Sequence, residues 1–324
     1  MSLSENSKNT VNLAKLTDNY FAQDGDVLTG KIAGEYEIII PDGATITLNK
    51  AKTYGIVCEG DCTIILAENT LNTVKGACSD CPGIYISEGK TLTFDGCGSL
   101  DVSSKEAAGI GAARNMGCGN VVIKNGTIKT VGAQGGAGIG GAYVTNVKKV
   151  AYGDVIIYGG SVTAKGGFFA AGIGTGANYN AEVSLGDITI NGGDVEAKGG
   201  LGGAGIGTGP VGVDCSKPCN GKSLMNAITI SGGSVTAKGG NGAAGIGSGW
   251  PYYKDCSTSI ESITITDGVT EVSATRGKDP LALCCIGKPK SDDGAGTSSI
   301  GPITIGGKVT ECIEKSSFTY KPKK

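Results

Sequence analysis

Residues 187–209 read DITINGGDVEAKGGLGGAGIGTG, and nearly the same string occurs at 154–176 and at 227–249. Each copy contains a short alternating segment, a glycine pair, a second alternating segment, another glycine pair and the element Gly-Ile-Gly. Alternation over four or five residues between glycines predicts strand, turn and strand. No helical period is sustained along the chain, so the fold class is predicted to be all-β.

The Gly-Ile-Gly element recurs along the chain. Its isoleucines are Ile110, Ile139, Ile173, Ile206 and Ile246, and a degenerate copy adds Ile286. One repeat has too little apolar surface for a core, so repeats must stack, with the variable loops protruding from one edge. This pattern indicates a right-handed parallel β-helix of roughly 8–10 rungs. A β-propeller is the alternative, but it needs four longer strands in each repeat of about 40 to 45 residues.

The Gly-Ile-Gly element has two interpretations. In stacked coils its isoleucine points inward at a corner, and its glycines permit positive φ and close backbone approach where the coil bends. A phosphate-binding loop requires a following helix N-terminus, which the sequence does not predict. We therefore interpret the element as scaffold. The strands between the glycines should place small apolar ladders inside the coil, formed by Val162, Ala164, Val195, Ala197, Val235 and Ala237.

Composition restricts the classes of function. Glycine accounts for 58 of 324 residues, against a usual share of roughly 7%. The formal net charge of −2 argues against nucleic acid as a partner. Histidine is absent, which removes the commonest general base and the commonest metal ligand.

The chain is predicted to form one β-helix domain with a cap at each end. Residues 1–20 are expected to supply a leader and N-terminal cap, residues 21–307 the β-helix, and residues 308–324 a C-terminal cap and tail. Rungs to about residue 118 are irregular, and the regular repeats occupy 119–307. No apolar run approaches the roughly 20 residues of a membrane span. The start MSLSENSKNT lacks the apolar region of a secretory signal, so a signal peptide is expected to be missing from this sequence.

Several segments outside the regular repeats carry a family resemblance. DGDVLTG at 24–30, IPDGATITL at 40–48 and GKTLTFDGCGSL at 89–100, together with the repeats, resemble the glycine-rich repeat regions of bacterial cell-surface proteins described as carbohydrate-binding-domain-containing. Those regions are similar in pattern to right-handed β-helix proteins of the pectate-lyase-like kind. The resemblance covers nearly the whole chain and implies an extracellular or surface-attached module associated with carbohydrate.

Lysines occupy one position in successive repeats, namely Lys165, Lys198 and Lys238. They should point outward, and rungs about 4.8 Å apart would align them in a row. Like charges held this closely favour an anionic ligand such as a uronic-acid or sulfated glycan. The alternative is a solvated face that discourages lateral aggregation.

Aromatic residues concentrate in the loops that follow Gly-Ile-Gly. Trp250, Tyr252 and Tyr253 lie in GWPYYKD, and Tyr143, Tyr152 and Tyr179 are assigned to equivalent loops. Flat rings on a loop edge suit sugar rings, so this group is a candidate sugar platform. The alternative is that the rings fold back over the flank of the solenoid.

Catalytic constellations are weak in this sequence. The adjacent carboxylates Asp292 and Asp293 lie in a polar loop rather than opposed across a bond, as glycoside hydrolysis requires. A lyase would use a lysine or arginine as base, with Ca²⁺ or cations stabilising the enolate-like charge. Arg114 and Arg276, with a lysine of the row, are the only candidates for that role.

Twelve cysteines leave three alternatives open. Cys58, Cys62, Cys78 and Cys81 have spacing compatible with a four-cysteine zinc site. Disulfides are the second alternative, within Cys215-x3-Cys219 and between rungs, with Cys256 and Cys312 also able to find partners. Buried free thiols are the third, and the adjacent pair Cys284-Cys285 is interpreted as packing.

These observations favour a non-catalytic carbohydrate-binding or adhesion module, secreted or on the cell surface, without a cofactor. Its expected partner is a polysaccharide or a host or bacterial surface glycan. A polysaccharide lyase acting on uronic-acid-containing glycans, with Ca²⁺, is the alternative. A structural spacer or stalk is the third.

Overall fold

A computed structural model describes residues 9–145, 147–213, 219–290 and 295–323. Over these ranges the chain winds into coils whose strands pair in parallel with the coil before and the coil after. The predicted parallel β-helix is therefore confirmed. Helical structure in the described ranges is limited to one 3-10 turn, Leu13–Lys15, and none of it has the length and apolar character that a membrane crossing requires.

Each regular coil adds a strand to three ladders. We call them ladder 1, ladder 2 and the GIG ladder, in the order in which the chain enters them. Ladder 1 contains β1 (Thr10–Asn12), β3 (Val27–Lys31), β5 (Thr45–Tyr54), β7 (Cys62–Leu66), β10 (Thr91–Gly96), β13 (Asn120–Ile123), β17 (Val155–Ile157), β21 (Ile188–Ile190), β24 (Lys222–Ile230), β27 (Ser257–Ile265) and β31 (Ile303–Ile305).

Ladder 2 follows after a short turn. It contains the ends of β3 and β5, then β8 (Leu71–Lys75), β11 (Ser99–Ser103), β14 (Thr127–Val131), β18 (Ser161–Lys165), β22 (Asp194–Lys198), β25 (Gly233–Lys238) and β28 (Val269–Thr275). The GIG ladder contains β2 (Tyr20–Phe21), β4 (Ile38–Ile40), β6 (Ile56–Cys58), β9 (Ile84–Ile86), β12 (Ile110–Gly111), β15 (Ile139–Gly140), β19 (Ile173–Gly174), β23 (Ile206–Gly207), β26 (Ile246–Gly247) and β29 (Ile286–Gly287). These ten described strands of the GIG ladder agree with the predicted number of rungs.

The core is a set of in-register apolar columns. In ladder 2, Val162 pairs with Val195 and Val195 with Val235, and the neighbouring alanines stack in the same way. All of these side chains are buried. Alternation along the strand therefore separates a dry interior from an outer face of polar residues, as predicted.

The Gly-Ile-Gly corner is scaffold. Its six isoleucines, from Ile110 to Ile286, are fully buried. The second glycine of the element has positive φ, for example +143° at Gly174, where a Cβ would lie 1.7 Å from the Gly207 carbonyl oxygen. Both the conformation and the contact with the next coil exclude a side chain, so the stacking itself requires glycine here.

The loops after Gly-Ile-Gly are more ordered than the sequence predicted. They form a fourth set of strands, the arm ladder, made of β16 (Lys149–Tyr152), β20 (Glu182–Leu185), the first halves of β24 and β27, and β30 (Thr297–Ile300). Single bridges also connect Val144 to Asn178, Asn178 to Val211, and Val211 to Pro251. We call the segments around Val144, Asn178, Val211 and Pro251, up to the next strand of the arm ladder, the arm loops. They stack coil on coil instead of protruding independently.

The first and last described segments pair with the outermost coils. Near the N-terminus, β1 pairs with β3 and the 3-10 turn buries Leu13. Near the C-terminus, β32 (Lys308–Thr310) forms an antiparallel pair with β31, and β33 (Ser317–Tyr320) pairs antiparallel with β28. The change from parallel to antiparallel pairing ends the series of coils on that side.

Candidate functional site

Lys165, Lys198 and Lys238, which we call the lysine row, are direct register partners on ladder 2. All three side chains are exposed, so the predicted alignment is present. The Lys238 ammonium is bound by the Glu196 carboxylate at 3.1 Å. Among the described residues, no carboxylate lies within ion-pair distance of Lys165 or Lys198. Two adjacent cations therefore remain available to an anion at a spacing of about 4.8 Å.

An open groove of about 420 Å³ runs beside the lysine row, at the corner between ladder 2 and the GIG ladder. We call it the corner groove. Its lining comes from three successive coils, in the segments 131–134, 165–168 and 198–201. The lining includes the charged side chains of Lys165 and Lys198 and the apolar side chains of Phe168 and Leu201. Phe168 is 60% exposed and packs edge-on against Phe169, with ring centroids 4.5 Å apart.

Glycine pairs from two of the three coils, at 166–167 and 199–200, contribute backbone to the lining of the corner groove. A Cβ on Gly200 would lie 1.8 Å from the Gly167 carbonyl oxygen, and one on Gly240 would lie 1.7 Å from that of Gly200. Because the coils approach this closely, a side chain at Gly200 or Gly240 would collide with the backbone of the preceding coil. The same glycine pairs that the repeat needs for stacking thus leave a concave strip along the stack.

A second groove of about 380 Å³ lies on the same edge in the irregular coils. It is lined by Lys31, Ile32, Lys52, Thr53, Tyr54, Thr73 and Lys75, and we call it the N-terminal groove. Lys75 is in line with Lys165 through Ser103 and Val131. The two grooves therefore share one edge of the β-helix, and Lys75 and Lys165 are three coil steps, or about 14 Å, apart.

Trp250 does not form an exposed platform. It is 7% exposed, its backbone N–H donates to the Gly202 carbonyl, and its own carbonyl accepts from Val211. Its side chain lies against Gly242, where a Cβ would be 3.7 Å from the Trp250 Cβ. The expectation of an exposed ring was wrong because this loop is part of the stack.

The prediction that Tyr152 lies in a loop was also wrong. It belongs to β16 of the arm ladder rather than to a loop, and its side chain is buried. Its hydroxyl donates to the Ala142 carbonyl at 3.1 Å. Burial raises the pKa of this tyrosine, and the residue is part of the core.

The other loop aromatics lie on the arm loops. Tyr179 and Tyr252 are half-buried, and Tyr253 is exposed. The Tyr252 hydroxyl lies 3.4 Å from the position that a Cβ on Gly202 would occupy, next to Leu201 of the corner groove. Tyr252 therefore lies beside the turn that carries Leu201, on the coil of Lys198. Tyr179 instead packs against Val211 and two cysteines.

The two arginines are far apart and each has local partners. Arg114 contacts Glu106 at 3.3 Å and Asp80 at 3.5 Å, and its guanidinium lies 5.2 Å from the Tyr143 ring centroid. Arg276 donates to backbone carbonyls that include Asp279 at 3.2 Å. They belong to coils several steps apart, so they do not share a site. Asp292 and Asp293 lie outside the described residues.

The cysteines follow the disulfide and free-thiol alternatives. Cys78 and Cys81 form a disulfide, so a four-cysteine zinc site with Cys58 and Cys62 does not form. Those two thiols are hydrogen-bonded to each other, and burial together with this contact raises the pKa of Cys58. Among the described residues, no three acidic or cysteine side chains gather in a way that would hold a metal ion. Cys215 lies outside the described residues.

Comparison with protein families identifies the repeat. Four segments match the family model described as Beta helix repeat, at residues 121–143, 155–177, 188–210 and 228–250. Each match begins in ladder 1 and ends just beyond Gly-Ile-Gly. The chain carries Beta helix repeats. The four matched segments together cover less than half of the chain, and they agree with the β-helix fold described above. No curated protein and no solved structure matches the chain.

The sequence interpretation missed Phe168. The signal was present, because FF at 168–169 occupies the position of LG and NG in the next two repeats. The direction of the Phe168 side chain could not be predicted, because a residue that follows a glycine pair is outside the strand alternation that separates inward from outward positions. The N-terminal groove was missed because its lysines come from irregular coils.

Proposed function

We propose that this chain is a non-catalytic module that binds anionic polysaccharide along the corner groove and acts in secreted or cell-surface form. The observation that carries the proposal is the alignment of Lys165 and Lys198, without carboxylate partners among the described residues, beside a groove with an exposed aromatic ring. Sugar binding commonly combines an apolar ring face with polar groups that fix orientation. A carboxylate or sulfate on successive sugars would meet successive ammonium groups.

The N-terminal groove supports a polymeric ligand over a small one. Lys31, Lys52 and Lys75 add positive charge to the same edge. Carboxylates on the outer face of ladder 2 include Asp101, two residues from Ser103, and Asp194 and Glu196 on β22. A long polyanion would gain from both grooves, because the second contact becomes intramolecular once the first has formed.

An oxidising location is supported by the Cys78–Cys81 disulfide, since such bonds persist outside the reducing cytosol. An oxidising location also agrees with a polysaccharide partner, because polysaccharides are found at cell surfaces and in the surrounding medium.

The test is a glycan array of uronate, sulfated and neutral polymers, each with and without Ca²⁺. We expect saturable binding to the anionic polymers, weakened by raised salt. The double variant Lys165→Ala/Lys198→Ala should lose it. Lys148→Ala/Lys308→Ala removes the same charge from exposed positions elsewhere and should retain binding. Equal loss in both variants would reduce the proposal to a net-charge effect.

The same samples distinguish the alternatives. A lyase would generate unsaturated uronate absorbance in the presence of Ca²⁺, and we expect no increase. An increase abolished by the lysine variant would replace the binding proposal with catalysis in the same groove. Absence of binding to every polymer would leave the stalk as the remaining function.

A further inference from the structure

Two cysteines on neighbouring coils nearly touch in the arm loops. The sulfur atoms of Cys219 and Cys256 lie 3.1 Å apart, and both residues are buried. The segments that follow them are held in register, since Lys222 of β24 pairs with Ser257 of β27. A disulfide bond is about 2.05 Å long, so closing it requires an approach of only about 1 Å.

The surroundings of the two sulfurs are built for this contact. Val211 and Tyr179 complete a small apolar cluster around them. Gly212 has φ of +82°, and a Cβ there would lie 2.9 Å from the Cys256 sulfur and 3.2 Å from that of Cys219. The space that a side chain at position 212 would fill is therefore occupied by the two thiols.

We infer that Cys219 and Cys256 are a site of oxidative cross-linking that joins neighbouring coils through a disulfide. In the reaction both thiols lose a proton, one sulfur–sulfur bond forms, and two electrons pass to a low-molecular-weight disulfide such as oxidised glutathione. That oxidant is cleaved to two thiols. Exchange proceeds through a thiolate and a mixed disulfide.

The local chemistry sets the conditions of closure. Burial, with the contact to Cys219, raises the pKa of the Cys256 thiol to about 12. The thiolate is the attacking species, so closure in the folded state is slow at neutral pH and becomes faster as pH rises. Oxidation during folding, before the arm loops pack, avoids this barrier.

The cross-link would stiffen the loops beside the corner groove. Tyr179 packs on the sulfur pair, and the Tyr253 ring comes within 3.0 Å of the Cβ position at Gly212. A covalent bond between coils restricts the separation of the two arm loops that carry these rings. This role is independent of whether the chain binds polysaccharide.

The test uses the full chain, unfolded under reducing conditions and then refolded in the presence of oxidised glutathione, so that oxidation can precede packing of the arm loops. Remaining thiols are alkylated, and the protein is digested without reductant for mass spectrometry. We expect a linked peptide pair containing Cys219 and Cys256, two hydrogens lighter than the sum of its parts and absent from Cys219→Ser and Cys256→Ser. Cys215→Ser should retain it. Linkage of Cys215 to either cysteine, or complete alkylation of both thiols, would overturn the inference.

Thermal unfolding gives a second readout. The oxidised chain should unfold at a temperature higher by roughly 5 °C than the reduced chain. Cys219→Ala/Cys256→Ala should reduce the difference to the part that the Cys78–Cys81 disulfide contributes, and Cys97→Ala, which alters an exposed thiol, should leave the full difference. An equal difference in the double variant would assign the effect to another cysteine pair.

Discussion

The Lys238 ammonium lies 3.1 Å from the Glu196 carboxylate of the preceding coil. Lys238 is also the register partner of Lys198, so the carboxylate neutralises one end of the lysine row and leaves the other end positive. The row is therefore asymmetric, although the sequence places its three lysines in equivalent positions.

Glu196→Gln should strengthen binding of polyuronate. Loss of the carboxylate frees Lys238 and removes a repulsive charge, so we expect an affinity increase of roughly two- to fivefold. Calorimetric titration at low and high salt would measure it. Lys238→Ala should weaken binding less than Lys198→Ala, and the reverse order would contradict the assignment of the available cations.

Phe168→Ala should change sugar affinity but not stability, whereas Trp250→Ala should change stability but not sugar affinity. Removing the exposed Phe168 ring should lower sugar affinity while chemical denaturation shows little change. Removing the buried Trp250 ring should cost about 3–5 kcal/mol of unfolding free energy and leave the folded protein able to bind. A normal denaturation midpoint for Trp250→Ala would argue against the packing described above.

Affinity should depend on ligand length. Lys31→Ala/Lys52→Ala should weaken binding of long uronate chains and leave that of a uronate disaccharide unchanged, because only a long chain reaches both grooves. Competition assays with fractionated oligosaccharides would provide the comparison. Identical losses for short and long ligands would place the primary site in the N-terminal groove.

Gly174→Ala should disrupt stacking at the Gly-Ile-Gly corner. The change introduces a Cβ against the Gly207 carbonyl at positive φ, so the expected loss is roughly 3 kcal/mol or more. Gly43→Ala is the matched control, since Gly43 has φ of +77° and nothing within 4 Å. Its cost should be about 1–2 kcal/mol from backbone strain alone. Denaturant midpoints of the two variants would separate contact from strain.

Cys312 should react with alkylating agents near neutral pH. The Cys284 thiol donates to it and lowers the pKa of Cys312 to about 6, while that hydrogen bond raises the pKa of Cys284. The thiolate of Cys312 is thus present above pH 6 and protonated below it. Iodoacetamide labelling, followed by mass spectrometry, should increase through that pH. Cys284→Ala should move the midpoint to higher pH.

The regular coils were predictable because alternation and glycine spacing act locally. Val162 and Val195 are directed inward by the strand period alone, and their stacking follows from the repeat. The position of Trp250 depends on a backbone hydrogen bond to Gly202 of the preceding coil, which no local pattern encodes. The Cys78–Cys81 spacing was compatible with a metal site as well as with a disulfide, and the spacing alone does not show which one forms. Phe168 follows a glycine pair, where the period carries no information about direction.

The repeated glycine turns also have a consequence for the evolution of repeat number. Each coil bonds only to its two neighbours, and the segments 154–176, 187–209 and 227–249 are nearly interchangeable. Unequal recombination between their coding regions would add or remove a whole coil, with its lysine and its concave turn, and leave every other coil unchanged. The edge would lengthen or shorten in increments of about 4.8 Å, and under the proposed function the number of repeats would determine the length of polymer that the edge holds.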